Sequence, residues 1–137
     1  EILCNYIRQN SPVSSSSSRP ESLDGLSQEH LERWLRKITP LRADIYTALR
    51  VIGRRGTKQR QLEKATDFKL DLSYCNLQGA SLKGANFSGT NFTRSALDGV
   101  DLSKSELIEV RFCDLTLLCG TFDRANLMGS EIVQCTL

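Results

Sequence analysis

The chain has 137 residues, 39% of them hydrophobic and 25% charged, with a formal net charge of +2. That length holds one domain, or a repeat array with an appended cap, and no apolar run approaches the roughly eighteen residues of a membrane-crossing helix. The charge is uneven: residues 1–70 carry thirteen Lys/Arg and eight Asp/Glu (net +5), and residues 71–137 carry five and eight (net −3).

Residues 1–10 read as the tail of a helix, with Leu3, Tyr6 and Ile7 on one face. Residue 1 is Glu and no N-cap precedes it, so the chain is expected to be a fragment or a processed product. Residues 11–22 contain five consecutive serines and read as a flexible linker. Residues 23–66 read as a helical cap segment. Ser27 can cap a helix carrying Leu31, Trp34, Leu35 and Ile38 at i, i+3, i+4 and i+7, supported by Glu29/Arg33 and Glu32/Arg36 pairs. Pro40 redirects it. A further helix over about Arg42 to Arg54 carries Ile45, Ala48, Leu49 and Ile52, with Gly53 and Gly56 as stops. These stripes are expected to lie over the first coil of the repeat that follows. Arg50, Arg54, Arg55, Lys58, Arg60 and Lys64 form a basic cluster. Cations suit a solvated helix C-terminus; the alternative is an anion-contact cluster for anionic lipid or nucleic acid.

From residue 67 onward one beat dominates. Every fifth residue is large and apolar: Leu72, Leu77, Leu82, Phe87, Phe92, Leu97, Leu102, Leu107, Phe112, Leu117, Phe122, Leu127, Ile132 and Leu137. A helix repeats every 3.6 residues and a strand every 2, so a period of five marks neither alone but a solenoid. Two residues before each centre runs a column of mostly small, uncharged residues, among them Cys75, Ala80, Ala85, Thr90, Ser95, Ser130 and Cys135. Between the columns stand polar residues such as Asp71, Asn76, Asn86, Asn91, Asp101 and Asn126. Glycines 79, 84, 89, 99 and 129 occupy the slot where a tight turn needs positive φ.

Departures gather between Glu106 and Cys119, where Ile108 and Leu118 are expected to point outward and make an apolar strip. Five cysteines with no C-x-x-C, and one His, speak against zinc and for reduced, small apolar residues of a cytoplasmic protein. His30 reads as a surface or capping residue, since no nucleophile and base accompany it. Asp71 and Asp101 read as turn-bonding groups rather than paired catalytic acids. No cofactor, metal or catalytic residue is implied.

The unit small-polar-Leu/Phe-any-Gly/polar resembles the pentapeptide-repeat family. Ala85-Asn86-Phe87-Ser88-Gly89 and Ala125-Asn126-Leu127-Met128-Gly129 carry the resemblance most clearly. It covers about residues 70–137 and implies a mainly β fold: a right-handed quadrilateral β-helix, one pentapeptide per side and four per coil, here with an N-terminal α-helical cap. At β-ladder spacing the tube would be about 16 Å long. Residues 1–8 and 44–55 also look like the segment preceding the repeats in a group of bacterial pentapeptide proteins whose membrane-spanning helices lie further upstream. Membrane association of a longer parent is therefore one alternative.

The leading functional reading is a noncatalytic scaffold for an unidentified protein partner, with a homodimer through the C-terminal coil as one form of it. Some family members mimic DNA and bind type II topoisomerases. Duplex DNA carries one charge per about 1.7 Å, so a mimic of this length needs roughly nine negatives. The repeat supplies a net three. Nucleic acid is not expected as a partner.

Overall fold

The computed structural model describes residues 1–17 and 28–135. Four α-helices precede a stack of short strands: α1 (Ile2–Asn10), α2 (Gln28–Arg36), α3 (Ala43–Gly53) and α4 (Thr57–Ala65), then β1 (Leu70–Asp71), β2 (Thr90–Asn91), β3 (Arg111–Cys113) and β4 (Glu131–Val133). The strands form one parallel sheet in the order β1-β2-β3-β4.

Register fixes the coil at twenty residues. Leu70 pairs with Thr90, Asn91 with Arg111, and Phe112 with Ile132. Three further sides show the same offset through the bridges Asn76↔Ala96↔Thr116, Ser81↔Asp101↔Thr121 and Asn86↔Glu106↔Asn126. Each coil therefore has four sides, and each side is one five-residue unit. The ladder runs through bonds such as Leu77 N–H to Ala96 O at 2.9 Å and Leu97 N–H to Thr116 O at 2.8 Å.

The five-residue unit is explained position by position. Centres from Leu72 to Leu117 are all buried. On the first side Phe92 and Phe112 stack with centroids 5.5 Å apart, and Phe122 meets Phe112 edge-on at 5.9 Å. The polar residue before the centre bends the chain: Oδ1 of Asp71, Asn76, Asn86, Asn91, Asp101 and Asn126 each accepts the backbone N–H two residues on, at 3.0–3.2 Å. That is an Asx turn, available to Asp and Asn because their side chains are short. The second residue after each centre has positive φ throughout, at five glycines and also at Tyr74, Arg94, Lys104, Glu109, Asp114, Cys119, Arg124 and Gln134. Glycine is thus favoured in this slot without being required.

The first coil has an open edge, and the N-terminal half meets it on all four sides. On the first side, Arg8 donates to Asp71 O at 2.9 Å and pairs with its carboxylate at 2.7 Å. On the second, Pro12 bridges Cys75 antiparallel, with Val13 N–H on Tyr74 O and Asn76 N–H on Ser11 O. Tyr46 Oη accepts Ser81 N–H at 2.8 Å on the third. On the fourth, Asn86 N–H reaches Gly53 O, while Arg55 donates to Asn86 O and Ser88 O. Cys4, Ile7, Ile45, Leu49 and Ile52 close over Leu72, Leu77 and Phe87 in one continuous core.

Two expectations change, and one helix adds to those read from the sequence. Residues 11–17, read as part of a flexible linker, lie against the coil edge, with a 3-10 turn at Val13–Ser15, because the unpaired backbone there offers them partners. The rest of that segment, and the Ser27 cap, lie outside the described residues. Helix α2 has no buried residue and lies along a corner rather than over the first coil, with Leu35 and Ile38 against Gly99 and Gly79. Helix α4 carries no apolar stripe that would announce it; it is held by Glu63, whose carboxylate takes Arg55 Nε at 2.8 Å.

Candidate functional site

The basic cluster does not hold together. Arg55 turns inward: its side chain is 9% exposed, paired with the equally buried Glu63 and bonded to three backbone carbonyls. A buried guanidinium so fully engaged fastens α3 and α4 to the coil and cannot meet an external anion. Arg50, Arg54, Lys58 and Lys64 are exposed, and Arg60 is half-buried. Arg50 and Arg54 face the coil, whereas Lys58, Arg60 and Lys64 belong to α4.

The repeat centres separate into two groups. Leu72, Leu77, Leu82, Phe87, Phe92, Leu97, Leu102, Leu107, Phe112 and Leu117 fill the tube. Phe122 and Leu127 are only half-buried and Ile132 is 50% exposed, next to Val133 at 52% and Met128 at 66%. Leu137 lies outside the described residues. The apolar strip expected at Ile108 and Leu118 is not a surface feature: Leu118 is buried and Ile108 half-buried.

Leu118 is held by a group the sequence did not single out. Asp98 is 1% exposed. Its carboxylate accepts Gln78 Nε2 at 3.0 Å, Thr116 Oγ1 at 2.9 Å and Leu118 N–H at 2.8 Å. Gln78 in turn bonds both backbone groups of Ser17. The network thus ties three successive coils to the N-terminal segment. Asp98 sits one residue after its centre, a slot with no compositional rule, so only its coil neighbours reveal it. His30 lies at the exposed start of α2. Among the described residues, no three His, Cys, Asp or Glu side chains converge where a metal ion could sit.

A family model described as pentapeptide repeats matches residues 71–107 in eight copies. Residues 71–107 belong to the pentapeptide-repeat family. The twenty-residue register carries the same unit on to Val133, and its fold is a β-helix solenoid. Pentapeptide-repeat proteins are in general noncatalytic. Two solved structures are similar to the chain. HetL, a pentapeptide repeat protein involved in heterocyst differentiation regulation from Nostoc sp. strain PCC 7120, is 28% identical over 44% of this chain and 33% of its own, with a TM-score of 0.26. The alr5209 pentapeptide repeat protein from Nostoc PCC 7120 is 24% identical over 54% of this chain and 74% of its own, with a TM-score of 0.21. The match thus spans about a third of HetL's length. No curated protein matches. Among the described residues no helix is long and apolar enough to cross a membrane.

Proposed function

We propose that this chain is a noncatalytic pentapeptide-repeat scaffold that works in the cytoplasm and engages a protein partner, a second copy of the chain being one form of it. The observation that supports this reading is that the repeat's side chains serve the tube itself: the centres from Leu72 to Leu117 are buried, and the Asp and Asn residues before them accept backbone N–H groups. Leu72, Phe92 and Phe112 are fully buried, while Ile132 above them is 50% exposed beside Val133 and Met128. A second copy docking on Ile132, Val133 and Met128 would cover these exposed apolar side chains. In the same reading the solenoid winds right-handed and the N-terminal helices act as its cap, since they meet all four sides of the first coil.

Sedimentation velocity over a concentration series tests the interface. A monomer-dimer equilibrium abolished by Ile132→Glu and Val133→Asp supports self-pairing. A monomer at high concentration, combined with unchanged exchange protection of β4 in the presence of a cell extract, refutes the interface.

A further inference from the structure

The cleft between α3 and the third and fourth sides of the first coil combines cations that are far apart in sequence. Arg50 and Arg54 from α3 and Lys83 from the coil line a space of about 180 Å3, with Tyr46 and Ser81 supplying polar groups. No carboxylate lines it. Among the described residues none of the three cations makes an ion pair. Asp101, one coil on from Ser81, accepts Ser103 N–H at 3.0 Å; its carboxyl is held below its usual range by those Ser103 bonds first and by the Lys83 charge last. The charge continues along the corner that begins at Gly84. The twenty-residue register places Lys104 and then Arg124 in the equivalent slots of the next two coils, both exposed and without a carboxylate partner among the described residues. No other corner column is basic in this way: Gly79, Gly99, Cys119 and Gly89, Glu109, Gly129 carry no cation, and Tyr74, Arg94, Asp114 carries one balanced by an acid.

Like charges brought together in a cleft that no carboxylate lines raise the local potential and draw in a counter-anion. Water takes up about 30 Å3 per molecule in the liquid, so the cleft has room for a compact group of several heavy atoms. Tyr46, the aromatic that lines it, is half-buried with its hydroxyl bonded to Gly79 and Ser81, so no free ring is offered to stack a base. The α3 carbonyls at this end are occupied by the N–H groups of Arg54 and Arg55, so they do not face the anion unpaired.

We propose that Arg50, Arg54 and Lys83 form a binding site for a phosphate group of the phosphomonoester or diphosphate class. The phosphate could be that of a free small molecule or of a lipid headgroup, and the same chemistry serves both.

The test uses the full chain at low ionic strength. Inorganic pyrophosphate is titrated by calorimetry, and flotation is run with neutral, phosphatidylserine and phosphatidate vesicles. Saturable pyrophosphate binding is expected, weakened by salt. Lys83→Gln should weaken it about two- to fivefold, the scale of one exposed charge pair. Arg50→Gln/Arg54→Gln should weaken it further, and Lys58→Gln on α4 should not. Pyrophosphate binding without vesicle capture assigns a free ligand. Capture by phosphatidate vesicles but not by phosphatidylserine, lost in Lys83→Gln, assigns a headgroup. Neither binding nor capture overturns the proposal, as does an equal loss in Lys58→Gln, which marks diffuse charge rather than a site. All the residues changed are exposed, so melting curves should confirm that folding is unaltered.

Discussion

Replacing Asp98 by alanine should be among the most damaging single changes in the solenoid. The carboxylate is 1% exposed and satisfies Gln78 on the coil before its own and both Thr116 and the Leu118 amide on the coil after. Its removal strands three donors in a site sealed from bulk water. Each buried donor left unsatisfied costs about 1–3 kcal/mol. The Thr116 hydroxyl can rotate toward solvent and Gln78 keeps its bonds to Ser17, so the lower end applies: about 3–5 kcal/mol in all. For a chain of this size that is a fall in melting temperature of roughly 10 °C or more. Thermal and urea unfolding of Asp98→Ala measure the total, and amide exchange at Leu118 reads the local effect. A loss below about 1 kcal/mol, with Leu118 still protected, would refute the network as a structural tie.

Other changes isolate single terms. Gly84 has φ +74° and nothing within 4 Å of an added Cβ, so Gly84→Ala should report the left-handed backbone alone, about 1 kcal/mol by denaturant unfolding. Gly53→Ala should exceed it despite an ordinary φ, because the new Cβ would sit 2.8 Å from that of Ala85; equal losses would contradict the packing. The Thr90 hydroxyl is buried without a hydrogen-bond partner, and its column already holds Val100 and Val110, so Thr90→Val should stabilise by about 1 kcal/mol in the same assay. Burial pushes the Cys75 thiol up to about 12, and burial first and Asp98 second raise that of exposed Cys119. A raised thiol pKa means less thiolate at pH 8. Cys119 should therefore react with a disulfide reagent before Cys75, but more slowly than free cysteine and faster as pH rises.

The tube was legible because its restraints are periodic. One apolar residue in five, an Asx turn before it and a left-handed residue after it each recur at fixed spacing, so a single line of sequence displays them all. The helical contacts were not legible in this way. Tyr46, Gly53 and Arg55 are matched to coil atoms some thirty residues away, and no local pattern records a partner at that distance. Helix α4 escaped notice because it is fastened by one ion pair, Arg55–Glu63, rather than by an apolar stripe. The basic run misled for the same reason, since adjacency in sequence placed Arg55 among exposed neighbours while the fold turned it inward. Lys83 joined the cationic cleft only once the coil had brought it there, and Asp98 acquired its role from residues twenty positions to either side.

The twenty-residue register gives the molecule a direction. The edge facing the helices is matched by five differently shaped contacts, each belonging to one place in the chain. Every later edge is the same surface repeated, a template that accepts any coil with the right spacing. Length is consequently a free parameter at one end and a fixed one at the other. Duplicating a coil between Leu97 and Leu117 would leave every helix contact in place, whereas losing a single residue between Tyr46 and Gly53 would turn one of these contacts about 100° away from the other. Such a solenoid can grow or shrink in steps of one turn while its N-terminal half stays constant.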